Sequence, residues 1–454
     1  MLKKNDIIPL EIVDITGQGS GIGRLNGMAV FVPMTAVGDI INAHILKVKK
    51  NYAFGKIENI ETPSNMRITP DCDCYAQCGG CVYRHISYDE ELKIKQRRVL
   101  DALTRIGKLS DFNMHNIIGC DTPNGYRNKT QIPIGKDKNG FVQMGFYGSH
   151  SHRITGTGEC MLQNKEFNEI VLCVKKIISE NNVSIYNEEN HKGIMRHLYI
   201  RQGSVSREIM VCFVVNSDSL PCSEKFVTAL TNLNKNIKSI VLNINKDKTN
   251  VILGKQCKTV FGSDFITDEL CGLKFNISPL SFYQVNHDQT EKLYAKAREY
   301  AELSGDEFLL DLYCGTGTIG LSMSTDAKKI VGIEIIPQAI DNAIENSKIN
   351  NISNADFYCM DSAEAAKKFV NNGERPDVII IDPPRKGCDL SVIESICKMS
   401  PKRIVYVSCE PETLARDLAV FAEKDYIVKD VAPVDMFPRT ASVETVVKLC
   451  RKSQ

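Results

Sequence analysis

Tryptophan is missing from this chain altogether. Any planar group the protein stacks must therefore lie against Phe, Tyr, His or Arg, and histidine is scarce, with 8 in 454 residues. No run of about eighteen apolar residues occurs, so no membrane-spanning helix is expected. The opening MLKKNDIIPLEIVDI carries lysines but no apolar segment long enough for a secretory signal, and acids follow at once. Excess charge of one sign is absent too: 56 Lys and Arg against 55 Asp and Glu leave a formal net charge of +1, which excludes a polycation. With 43% hydrophobic and 24% charged residues the balance is that of a globular protein, expected in the cytoplasm.

The length is too great for one ordinary core and predicts two or three domains. Seventeen cysteines, an odd number in a chain of this kind, read as reduced, metal-bound or catalytic rather than paired. Charge is uneven locally. Lys47, Lys49, Lys50 and Lys56 fall in a stretch free of acids, and Lys93, Lys95, Arg97, Arg98, Arg105 and Lys108 form a second basic run. Such blocks are usually solvated faces; two of them in the N-terminal third also fit a nucleic-acid partner.

Residues 1–60 read as short strands between glycine turns, the pattern of a small OB-like β-barrel, and resemble the TRAM domain, an RNA-binding module. The glycine-rich stretch Gly17–Gly27 is not a phosphate loop, because no helix follows it. Residues 61–287 hold a cysteine-rich connector, helical composition over 91–108 and a central α+β domain with a helix at 165–180. From 288 to 454 apolar strands alternate with helices, which predicts an α/β, Rossmann-like doubly wound sheet. No internal repeat or low-complexity tract is present.

In that last part, LLDLYCGTGTIGL (309–321) is a strand entering Gly-Thr-Gly and then a helix, where bare backbone can approach a ligand. NAD sites and structural turns share that pattern. Glu334 ends the next strand, where a ribose hydroxyl needs a carboxylate; Asp361 ends the third, placed for an adenine edge; Asp382-Pro383-Pro384-Arg385 ends the fourth. An Asp-Pro-Pro loop at a fourth strand end is typical of methyltransferases that act on bases. Arg385 stands where enzymes of exocyclic amines put an aromatic, and the nearest cysteine, Cys388, lies too far along for the cytosine-C5 pattern. Both departures point to uracil. Cys409 leaves the run Val405-Tyr406-Val407 at the carboxyl end of a predicted strand, where open sheets hold their ligands; the bland alternative is a small core residue.

Cys409 in SCEPETLARDL, Asp382 in DPPR, Gln284 in SPLSFYQVN and Glu444 in SVETVVKL together resemble the RNA uracil-5-methyltransferases over essentially the whole length. The likeness is greatest to members that carry an iron–sulfur cluster and act on 23S ribosomal RNA. It implies S-adenosyl-L-methionine as methyl donor. It also implies Cys409 as the nucleophile that adds to uracil C6 and Glu444 as the base that removes the C5 proton. Gln284 and Asp382 would lie near donor and uracil edge, Tyr313 on the adenosine and Glu334 on its ribose. Phe282 and Tyr283 are candidates to stack on an unstacked base, with core packing the alternative.

Cys72, Cys74, Cys78 and Cys81 crowd the connector. Read as Cys72-x5-Cys78-x2-Cys81 with Cys160 as a distant fourth, they resemble the ligand set of the cluster-bearing members. Read as Cys74-x3-Cys78-x2-Cys81, they have the spacing of radical S-adenosylmethionine enzymes. Spacing alone allows zinc or [4Fe–4S]; the resemblance implies the cluster. Arg84, His85, Arg127 and Lys129 flank this region and are expected near phosphates. Transfer RNA stays open as an alternative substrate. No protein partner is inferred, and a monomer is the default.

Overall fold

The computed structural model describes residues 2–149, 151–156 and 159–452. Strands alternating apolar-in and polar-out close a barrel from β1 (Ile7–Ile15), β2 (Ser20–Leu25), β3 (Met28–Pro33), β4 (Ile40–Val48) and β5 (Tyr52–Thr62), in the order β1-β2-β3-β5-β4. Ile12, Val30, Val32, Ile41 and Ile45 fill it. This is the expected OB-like barrel.

After the connector comes α1 (Tyr88–Asp101), prolonged by a π-helical turn, and then β6 (Asn113–Met114). The central part holds β7 (Lys129–Lys136), β8 (Val142–Tyr147), β9 (Ile154–Gly156), α2 (Lys165–Glu180), β10 (Met195–Gln202), β11 (Ile209–Val215), α3 (Ser223–Leu233), β12 (Ile237–Ile244) and β13 (Gln256–Gly262). Its seven strands run β13-β12-β11-β10-β7-β8-β9, with α2 and α3 packed on the sheet. A hairpin, β14 (Ile266–Leu270) and β15 (Leu273–Ile277), leads to α4 (His287–Ala301).

The C-terminal part is β16 (Phe308–Leu312), α5 (Thr318–Ser322), β17 (Lys329–Glu334), α6 (Pro337–Ile349), β18 (Ala355–Cys359), α7 (Ser362–Asn371), β19 (Val378–Ile381), α8 (Leu390–Met399), β20 (Arg403–Ser408), α9 (Pro411–Glu423), β21 (Tyr426–Val434) and β22 (Glu444–Arg451). The sheet order is β18-β17-β16-β19-β20-β22-β21-β6. Leu310, Ile379 and Ile404 bury on one face and Leu309, Ile380 and Val405 on the other, the signature of a sheet covered on both sides. The order reverses between β16 and β19, so a crevice opens at the carboxyl ends of those two parallel strands.

One placement departs from the sequence order. α1 and β6, which precede the central domain, pack on the C-terminal sheet: β6 pairs with β21, and α1 buries Glu91 and Lys95 against the loop after β21. Lys95 Nζ donates to Glu91 (2.7 Å), Asp435 (2.6 Å) and the Phe437 carbonyl (3.1 Å), and Tyr88 donates to Asp435 (2.7 Å). The basic run of this helix is therefore no uniform RNA-facing stripe, since Lys95 is 1% exposed and Arg98 is tied to Glu410 and Glu412. Removing one partner of a buried ion cluster strands the others. Lys95→Met is thus expected to cost about 3–5 kcal/mol, read by chemical denaturation, whereas Lys93→Met at an exposed site is expected to cost little. All seventeen cysteines are free thiols, and among the described residues no helix is long and apolar enough to cross a membrane.

Candidate active site

Three adjacent strands deliver the reactive groups. Ile381 of β19 pairs with Tyr406 of β20, and Ser408 of β20 pairs with Thr445 of β22, so Asp382, Cys409 and Glu444 meet at one end of the sheet, beyond the carboxyl ends of β19 and β20. Glu444 is buried; Asp382 and Cys409 are half-buried. Burial raises all three. It pushes the Cys409 thiol up to about 11, helped by Glu444 and Asp382 and opposed by Arg385. Glu444 is pushed up to about 8 by burial and the Asp382 charge, again opposed by Arg385, and burial alone takes Asp382 to about 7. The cluster couples a shielded thiol to two carboxyls poised near neutrality, an arrangement suited to nucleophilic and acid–base work.

Across the crevice, Glu334 ends β17. Its Oε2 accepts the Gly315 N–H (3.2 Å), and its Oε1 accepts those of Ile335 (2.8 Å) and Ile336 (3.0 Å). Tyr313 takes φ +64°, a left-handed backbone that a tyrosine adopts only under constraint, and Gly315 follows with open space where a Cβ would stand. Ile335 and Ile336 are 60% and 56% exposed beside this carboxylate, an apolar ledge for a planar ring. The sequence patterns did not reveal that ledge. A bare glycine turn, an oriented carboxylate and an exposed apolar face fit an adenosyl donor. Asp361 does not end the third strand as expected: β18 stops at Cys359, and Asp361 stands exposed two residues beyond it as the N-cap of α7, its Oδ1 accepting the N–H groups of Ala363 (2.9 Å) and Glu364 (3.3 Å).

Asp311 was also missed. Buried at the end of β16, it accepts the Gly320 N–H (3.0 Å) and so pins α5 beneath the glycine turn; burial pushes it up to about 8. A signal existed in the polar residue inside an otherwise apolar strand.

The segment 278–286 forms another wall. Buried Arg201 donates to the carbonyls of Ser278 (2.9 Å) and Ser281 (3.0 Å), and Asn128 donates to the carbonyl of Gln284 (2.9 Å). Asn342 of α6 reaches Ser281 (3.1 Å), which sets this segment beside the donor crevice. Phe282 is 64% exposed and free to stack. Tyr283 points the other way, buried with its hydroxyl on Asp268 (3.1 Å), so it belongs to the core and not to the stacking surface. Cys388 is also core: its N–H donates to buried Asp417 (2.7 Å).

Cys72, Cys78, Cys81 and Cys160 line one cavity of about 250 Å³ with Arg84, Arg127 and Lys129. Cys74 stays outside it, its thiol directed to the Gly156 carbonyl (3.5 Å). Among the described residues no three His, Cys, Asp or Glu side chains gather closely enough to grip a single ion. Arg84 and His85 do not reach phosphates as expected. Arg84 is buried on Asp71 (2.5 Å), and His85 is buried between Tyr75 (2.5 Å) and the Thr35 carbonyl (3.1 Å).

A doubly wound sheet with this glycine turn, ribose-type carboxylate and Asp-Pro-Pro loop at its switch point defines an S-adenosylmethionine-dependent methyltransferase. Residues 202–452 match the profile described as tRNA (Uracil-5-)-methyltransferase, and residues 3–57 match the TRAM domain. The chain is 45% identical over 446 residues to an uncharacterized RNA methyltransferase of Clostridium tetani, covering 98% of this chain and 96% of that one. It is 44% identical to one from Staphylococcus aureus, covering 98% of each. Its fold matches the Pyrococcus abyssi tRNA (uracil-54, C5)-methyltransferase in complex with S-adenosyl-L-homocysteine, with a TM-score of 0.78 and 28% identity over 97% of this chain and 99% of that one. The chain belongs to the RNA uracil-5-methyltransferase family and carries an N-terminal TRAM domain.

Proposed function

We propose that this enzyme methylates uracil C5 in 23S ribosomal RNA through a covalent adduct on Cys409. The observation that carries the reading is the meeting of Cys409, Glu444 and Asp382 at one end of the sheet beside the donor crevice. The C5 carbon of neutral uracil is a poor nucleophile. Addition of the Cys409 thiolate to C6 places the displaced electron pair on C5 and the O4 carbonyl, and Asp382 would hold the N3–H edge. S-adenosylmethionine supplies an electrophilic methyl group. Glu444 then takes the C5 proton, and the electron pair of that C–H bond reforms the C5–C6 double bond as the C6–S bond breaks, returning Cys409. Tyr313, Glu334 and Asp361 would hold the donor, with Gln284 at the junction of donor and base, and Phe282 would stack on the unstacked uracil.

The cavity of Cys72, Cys78, Cys81 and Cys160 has the donor set of an iron–sulfur cluster, with four thiols around space for a polynuclear group. Arg84 supports this reading: it is buried on that cavity with Nε and one Nη unpartnered, so a dianionic group would satisfy it. A [4Fe–4S] cluster there would be structural, since the methylation chemistry needs no electron transfer. The outward turn of Cys74 speaks against the radical arrangement. Cys160→Ala is expected to lose the visible absorbance of the anaerobically reconstituted protein, and Cys74→Ala to keep it. The opposite pattern would overturn the ligand set.

The choice of 23S RNA rests on that cysteine set, which resembles members acting there. Transfer RNA is the second reading, favoured by the likeness to the Pyrococcus abyssi enzyme. Tritium release from 23S RNA and from tRNA, each transcribed with [5-³H]uridine, separates them. Donor-dependent release from 23S RNA that vanishes in Cys409→Ala is the expected result. Release from tRNA alone would reassign the substrate.

A further inference from the structure

The chemistry above leaves two sequence features without a role, the glycine-rich turn of the barrel and Arg98. Arg98 lies on α1, its side chain 10% exposed. Its Nε and Nη2 fork onto Glu412 (3.1 and 2.8 Å), Nη2 also reaches Glu410 (2.5 Å), and Nη1 donates to the Ala441 carbonyl (3.1 Å). Glu410 directly follows the nucleophile and sits at the N-cap of α9, while Ala441 lies in the loop that enters β22 at Glu444. One guanidinium therefore spans the loop of Cys409 and the loop of Glu444. It also keeps two adjacent carboxylates together. Burial and contact with Glu412 push Glu410 up to about 7. Glu412, against burial, is held down to about 2 by its bonds to Glu410 and Arg98.

The β1–β2 turn closes over this clamp from the barrel side. A Cβ at Gly17 would stand 2.7 Å from Arg98 Nε and 3.0 Å from its Cδ, so only a glycine lets the turn sit on the guanidinium. Gly19, at φ +81°, presses still closer on Val82, where a Cβ would meet Cγ1 at 2.0 Å. Val82 and Tyr83 in turn donate their N–H groups to the Arg439 carbonyl (2.7 and 3.2 Å), in the loop that leads to Glu444. Barrel turn, connector and base-bearing loop thus form one continuous packing.

We propose that Arg98 is a positioning residue that holds the Cys409 and Glu444 loops in register, and that the barrel's glycine turn keeps its guanidinium in place. Seating of the RNA-binding barrel then completes the active site. The inference rests on the roles proposed for Cys409 and Glu444. A lysine cannot replace the fork, because a point charge cannot serve two carboxylates and a carbonyl in fixed directions.

The test uses the full-length enzyme and steady-state methyl transfer by wild type, Arg98→Gln, Arg98→Lys, Arg98→Ala and Gly17→Val. A misplacement on the order of 1 Å in a reacting group costs roughly a hundredfold. Arg98→Gln is accordingly expected to lower kcat about 30- to 100-fold, with KM for RNA and for the donor within about threefold. Arg98→Lys should recover little, and guanidinium ion added to Arg98→Ala should restore part of kcat. Gly17→Val, which leaves Arg98 in the chain, should give the same split at about tenfold. Undiminished kcat in Arg98→Gln, or a raised RNA KM with kcat intact, would overturn the proposal. If Arg98→Gln does not fold, Gly17→Val decides by the same criteria. Cys409→Ala is run alongside: if it stays active, the assignment of the nucleophile has failed, whatever the clamp does.

Discussion

Glu444→Gln is expected to trap the enzyme on its RNA. Glutamine has the shape of a protonated glutamic acid, and the free enzyme holds Glu444 close to that state, pushed up to about 8 by burial and by Asp382. The variant should therefore fold, bind RNA and donor, and form the C6 adduct. It lacks a group to take the C5 proton, so elimination stalls after the methyl group has been transferred. A positioned base contributes roughly 10²- to 10⁴-fold, and turnover should fall by that factor. The predicted species carries protein, RNA and a donor-derived methyl group together and survives denaturing electrophoresis. Cys409→Ala in the same background should abolish it. Turnover at the wild-type rate, or a stalled enzyme without any adduct, would remove Glu444 from the role of base.

The donor crevice was legible because its residues follow local rules. An apolar run ending in Tyr313-Cys314-Gly315-Thr316-Gly317 and a strand ending at Glu334 place groups at carboxyl ends, and the parallel pairing of β16 and β17 follows from the alternation of strands and helices. Cys409 was legible in the same way. Glu444 was not, because its importance comes from β22 lying antiparallel to β20, a pairing no local pattern announces. As a residue opening a strand it reads as a solvated carboxylate, and only the resemblance singled it out. Phe282 and Tyr283 illustrate a second limit. Neighbours in an extended segment face opposite ways, and composition does not say which parity faces solvent.

The docking of α1 on the C-terminal sheet was also beyond reach. It depends on Lys95 meeting Asp435 across 340 positions, and a buried lysine looks in sequence like any other cation of a basic run. The same run contains Arg98, so a block that read as a solvated face or a nucleic-acid contact is in part internal, tied to Glu410 and Glu412 beside the candidate site. Arg84 and His85 mislead for the same reason: charge in a sequence reports neither burial nor partner.

The free enzyme should keep the Cys409 thiol protonated, and this can be measured without RNA. With the Cys409 thiol pushed up to about 11, alkylation of its peptide by iodoacetamide should rise with pH through the range 7 to 10, by somewhat less than about tenfold per unit because Glu444 becomes charged within that range. The carboxylates set the sign of each substitution. Glu444 is charged above a pH of about 8 and then opposes the thiolate, so Glu444→Gln should speed alkylation roughly three- to tenfold at pH 9, equivalent to a half to one pKa unit. At pH 6, where the glutamic acid is neutral, the same substitution should change nothing. Arg385 acts with the opposite sign by favouring the thiolate, so Arg385→Gln should slow the reaction. An effect of Glu444→Gln that is equal at pH 6 and pH 9 would mean it arises from access rather than charge. Acceleration by Arg385→Gln would show that its guanidinium does not face the thiol. If both signs hold, the thiol rests in its inert form, shielded from adventitious oxidation, and the energy to ionise it must come from binding the RNA.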